Sequence, residues 1–215
     1  ISAFIGQEAM HTQEHEGFNA SAQKYGHDVA TLDRYTDRAI QTTRKVFAFL
    51  GKPVGITQEM VDLTATTALE HFTATIASQL LVNNHIQELM SDETMKTMWL
   101  WHAIEENEHK AVAYDVFEGV FGKGIKSYLL RTGSLVAAMT ILFCVQSYFV
   151  FRLLQQDKQL NRAALKDIYT YAYSPSKGII TGMAREMIMY FKLGFHPNHH
   201  DTDALLEKWK LKLGF

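Results

Sequence analysis

The chain holds one cysteine, three prolines and no excess of charge of either sign. With Cys144 alone no internal disulfide can form, so packing must hold the fold, and a reducing, cytoplasmic setting is expected. A formal charge of -2 over 215 residues gives none of the basic excess that draws proteins to phosphate backbones, and nucleic acid is not expected as a partner. Also missing are a Gly-rich phosphate loop, a nucleophile elbow and a His-Glu-x-x-His zinc motif. No stretch keeps up the apolar–polar alternation of a strand. What remains is 47% apolar and 20% charged, enough to bury a substantial core as one helical domain over residues 1–215.

The few breakers divide the chain into helices. A first helix runs to about Lys24 and is closed by Gly26; a second covers Asp28 to Leu50 and stops at Gly51-Lys52-Pro53-Val54-Gly55. Thr57 can cap a third helix reaching about Met90, with Glu59 in its first turn facing the positive helix end. Ser91 or Asp92 caps a fourth, ending between Gly119 and Gly124. Between Arg131 and Arg152, residues 132–151 carry no charge, a length that suffices to cross a bilayer. Thr132, Ser134, Thr140, Gln146 and Ser147 dilute that run, so burial against other helices or in a homodimer is the competing expectation. His196, His199 and His200 precede a short helix from Asp201 or Thr202 to Lys212 and read as turn and capping groups rather than a zinc site.

One pattern occurs twice, as Glu8-x-x-His11 and Glu106-x-x-His109, and Glu70 lies on the helix between the two copies. Helical residues three apart share a face, so each pattern aims a carboxylate and an imidazole at one point. Carboxylates offset and bridge the charge of paired metal ions, and imidazoles complete the coordination. In di-metal carboxylate bundles two helices each give a lone Glu and two give Glu-x-x-His. Glu8, His11, Glu70, Glu106 and His109 are therefore the expected ligands of two metal ions, iron foremost, with manganese or zinc as alternatives. A sixth ligand, a Glu, is expected on a helix before Ile1, because the sequence opens without Met and leads straight into the first pattern. Glu14, Glu105 or Glu108 would have to reach across to replace it. His15, His71, His102 and Glu105 are candidates for further ligands or for partners that orient the ligands. The expected fold is all-α, a ferritin-like bundle lacking its first helix, with the metal-binding portion in residues 1–123 and a C-terminal helical extension in 124–215.

The segments Phe4-Ile5-Gly6-Gln7-Glu8 to His15, Leu69-Glu70-His71, Trp101 to Lys110, and Gly194-Phe195-His196-Pro197 to Trp209 together resemble the bacterial family described as predicted metal-dependent hydrolases. The resemblance runs over nearly the whole chain and implies an upstream helix with a Gly-Glu pair, which this sequence lacks. Three activities are compatible with the ligand pattern. O2-dependent oxidation of a small apolar substrate is the leading expectation, because this helical arrangement matches oxygen-activating proteins. Hydrolysis by a metal-activated water is the alternative, and ferritin-like metal oxidation or storage is the third. The charge-free run adds membrane contact through 132–151, at the inner face of the membrane, as an expectation.

Overall fold

The computed structural model describes residues 2–214, and every extended regular element among them is helical. In chain order these are α1 (Ser2–Lys24), α2 (Val29–Gly51), α3 (Gln58–Val82), α4 (Asn84–Glu88), α5 (Glu93–Glu108), α6 (Val112–Phe121), α7 (Ile125–Gln156), α8 (Arg162–Tyr173), α9 (Ile179–Met189) and α10 (Asp203–Leu213), with 3-10 turns at Lys52–Val54 and Pro197–His199.

Local chemistry sets most boundaries. Gly26 adopts a φ of 95° after α1, and Asp28 then accepts from the Thr31 amide at 3.1 Å to begin α2. That capping, first through Thr31, holds the Asp28 carboxyl below the usual range. The Thr57 hydroxyl accepts from the Met60 amide at 3.4 Å, and Asp92 caps α5 by accepting from Met95 N at 2.9 Å. Two expected helices are each divided. The third does not continue to Met90: Asn83 ends it, caps α4 by accepting from Ile86 N, and donates to Lys177 O at 3.1 Å. Asn offers the backbone a partner that competes with the helix ladder. The fourth is broken at His109, whose φ of -103° and ψ of 9° lie in the bridge region. Neither Gly nor Pro marks that second break, which is why sequence pattern misses it.

The chain clusters into two units. The first gathers α1, α2, the opening turns of α3, and residues 133–160, which comprise most of α7 and the turn after it. Here α1 packs on α2, and α2 is tied to α7 by the Tyr35–Tyr148 ring contact at 5.7 Å and by Asp28 N donating to Gln156 Oε1 at 2.9 Å. Arg44 grips Asp62 with Nε to Oδ1 at 2.7 Å and Nη2 to Oδ2 at 2.5 Å, joining α2 to α3.

The second unit holds residues 67–132 and the chain from Asn161 onward. Its core is Ala77, Leu81, Leu100, Ala103, Ile104, Leu206 and Trp209, where α3, α5 and α10 meet. Trp209 Nε1 donates to Leu81 O at 2.9 Å, so the indole is buried without losing its hydrogen bond. α8 folds back on α9 through Gly178, where an added Cβ would stand 2.7 Å from Ala172 O and from Ser174 N and O.

Candidate metal centre

Within the first unit, α1 carries Glu8 and His11 one turn apart, with His11 Nδ1 3.6 Å from Glu8 Oε1. His11 is buried and Glu8 half-buried, an unusual placement for a carboxylate and an imidazole on a helix with no strong apolar face. His15, one turn further, is exposed, as is Glu14.

Within the second unit, α3 and α5 bring three of the expected ligands together. Glu70, Glu106 and His109 are all buried. Glu70 Oε2 lies 3.1 Å from His109 Nδ1, and one ligand atom each of Glu106 and His109 fall within 4.8 Å of one another. His109 reaches this position because α5 ends at Glu108 and leaves it as the residue after the last turn. His102 Nε2 stands 3.3 Å from Glu106 Oε1, in the place of a side chain that orients a carboxylate. Glu105 is half-buried and its backbone carbonyl accepts from His109 N. Glu108 is taken by Lys210 and cannot serve as the sixth ligand in this arrangement.

The donor set suits a cation. Burying two carboxylates costs several kcal/mol each unless charge or hydrogen bonds balance them. Two buried carboxylates and a buried imidazole, one carboxylate 3.1 Å from that ring, are balanced by a divalent ion better than by each other. The residues present therefore fit metal binding.

His71 faces elsewhere. It is buried against Tyr190, with ring centroids 4.6 Å apart, and its Nε2 lies 3.3 Å from Glu186 O. Burial pushes its pKa down to about 4, so the ring is neutral at ordinary pH. It borders a cavity of about 20 Å³, with Thr75, Asn107, Lys110, Glu186 and His200 on the other walls. That volume fits roughly one water. Lys110 donates to His200 O at 2.6 Å and to Thr202 Oγ1 at 2.8 Å, and burial lowers its pKa. His71 and Lys110 directly follow Glu70 and His109 in sequence, so neighbouring residues, on α3 and in the break after α5, serve the ligand group and the cavity respectively.

Several supporting residues carry no sequence signal. Asn107 is buried, accepts from Ser78 Oγ at 2.6 Å and donates to Ala103 O at 2.9 Å, fixing α5 to α3 beside Glu106. Arg131 is buried with its guanidinium 4.6 Å from the Tyr190 ring centroid, and it donates to the carbonyls of Tyr190 and Lys192 at the end of α9. Both types are ordinarily surface residues, so nothing short of the packing reveals them. The tail histidines behave as the sequence suggests: His196 Nδ1 accepts from Asn198 N, and its Nε2 is 2.9 Å from Asp115 Oδ1.

A family model described as "Predicted metal-dependent hydrolase" matches residues 1–201. No curated protein and no solved structure matches the chain. The match corrects the leading expectation of O2-dependent oxidation. That expectation rested on likeness of helix order, which speaks to fold more than to reaction, whereas the match names metal-dependent hydrolysis, the alternative reading.

Proposed function

The chain belongs to the predicted metal-dependent hydrolase family, and from that premise we propose that it hydrolyses an ester, amide or phosphate bond in a small apolar substrate, using metal held by Glu70, Glu106 and His109. The observation that carries the proposal is the buried grouping of Glu70, Glu106 and His109, with Glu70 set 3.1 Å from the His109 ring. The order Glu-x-x-His, lone Glu, Glu-x-x-His along α1, α3 and α5 with its C-terminal end supports a ferritin-like wiring of these ligands. Divalent ions in such a site would supply Lewis acidity, polarising the bond to be cut and acidifying water near neutral pH.

The chain's own residues contribute the rest. A hydrogen bond from His109 Nδ1–H to Glu70 fixes the tautomer that presents Nε2 as the ligating nitrogen. His102 restrains Glu106 in the same manner. Iron is the preferred occupant, with manganese and zinc as the alternatives that a carboxylate-rich set admits.

The test is to strip the purified protein of metal, reload it separately with iron, manganese or zinc, and assay a panel of esters, amides and phosphates. Hydrolysis that appears only with metal, and is lost in both Glu106→Gln and His109→Ala, supports the proposal. Failure of every loaded form on every substrate class overturns it.

A further inference from the structure

In the second unit the first turns of α7 and the end of α9 lie side by side. Tyr128 Oη donates to Phe191 O at 2.9 Å, and Arg131 Nη2 donates to Lys192 O at 3.1 Å. The surface they make is apolar and open. Ile125 is 78% exposed and Leu193 80%, and Leu129, Ile188 and Phe191 are exposed around them. Scattered exposed apolar residues are ordinary, but five large ones gathered on two touching helix ends mark an interaction surface.

Its charge has one sign. Lys126 and Lys192 are exposed on this face, while no Asp or Glu occurs from Gly119 to Gln156 or from Met187 to His200. That bias selects the partner. A two-fold contact with a second copy would place the same patch against itself and bring lysine toward lysine. An anionic headgroup layer answers the lysines and takes up the apolar side chains between them. We propose that this face seats the protein on an anionic lipid bilayer.

Further along, α7 keeps the same character. It is long and apolar enough to cross a membrane by length and composition, and only 6% of its most apolar stretch is buried. Val136, Phe143, Val150 and Phe151 are exposed there, with no charge among residues 132–151. Within the first unit, however, the last turns of this helix are tied to Tyr35 and Asp28 through Tyr148 and Gln156, and a helix so anchored to protein suits lying in the interface rather than crossing it.

The test is sedimentation of the full chain with vesicles of phosphatidylcholine alone and of phosphatidylcholine mixed with phosphatidylglycerol. It is run on metal-free and metal-loaded protein, so the result stands apart from the hydrolase reading. Binding is expected to the anionic vesicles and to weaken with added salt. Each lysine near the surface is worth about fivefold in partitioning, so Lys126→Gln with Lys192→Gln should lower it about 25-fold. Ile125→Ser with Leu193→Ser should remove it without changing the circular dichroism spectrum. No binding to anionic vesicles, or unchanged binding by the lysine double variant, overturns the proposal. So does a lipid-free dimer that the serine double variant dissociates, because the face would then be a contact between copies.

Discussion

At the scale of single residues, the sharpest expectation concerns Glu70. If it fixes the His109 imidazole for a metal, Glu70→Gln keeps the shape of the side chain but weakens its grip on the ring. Metal affinity should then fall about 10- to 100-fold, measured by titration of the metal-free protein against a competing chelator; unchanged affinity would show Glu70 to be packing only. His71 gives a second test. Its folded pKa of about 4 lies below the ordinary value of 6.5 because burial disfavours the charged ring. Between those values the unfolded chain binds the proton and the folded one does not, so stability rises with pH through this window and is lost on acidification across it. The loss is on the order of 3 kcal/mol by pH 4. Urea unfolding of metal-free protein from pH 7 to pH 4 should show the drop, and His71→Asn should flatten it. The Glu-x-x-His repeats and Glu70 stand out in the sequence by their spacing, whereas the helix end that sets His109 in place does not. Asn107, Arg131 and the turning of His71 toward Tyr190 were not, because each depends on which distant segment covers it.

At the scale of elements, the α8–α9 turn is the least forgiving point. Gly178 has ordinary backbone angles, so strain of its own is not the issue; three backbone atoms stand where a side chain would begin. Backbone cannot swing aside as a side-chain end can. Gly178→Ala should therefore cost about 1–3 kcal/mol, read as a lowered urea midpoint with an unchanged slope. A full-strength Gly178→Ala protein would mean that the turn relaxes freely. Helix limits were well marked in sequence wherever a capping side chain or a breaker stood at the boundary, as at Asp28, Gly51 and Asp92. They were hidden where a tertiary tie interrupts an apolar run. Lys110, reaching to His200 O and Thr202 Oγ1, sits in the break between α5 and α6 and anchors it to a segment 90 residues on.

At the scale of the molecule, an ion that binds the folded chain and not the unfolded one adds stability by mass action. At free metal about a hundredfold above Kd the gain is about 2.7 kcal/mol, which raises Tm about 5–10 °C for a chain of this size. Scanning calorimetry with and without a chelator measures it; no change in Tm with any of iron, manganese or zinc would count against metal binding. The all-α class was readable from the scarcity of breakers and the lack of strand alternation. Reaction type was not, since carboxylates and imidazoles in helical register serve oxidation and hydrolysis alike. Only the family match separates the two.

The interruption at His109 has one more consequence. A donor placed where the helical ladder lapses rides on backbone that opens more readily than the turns around it. Filling the centre should stiffen that joint first, so amide hydrogen exchange over residues 109–112 ought to slow on metal addition well before the helices on either side respond. Occupancy would then be legible from the backbone, with no substrate present.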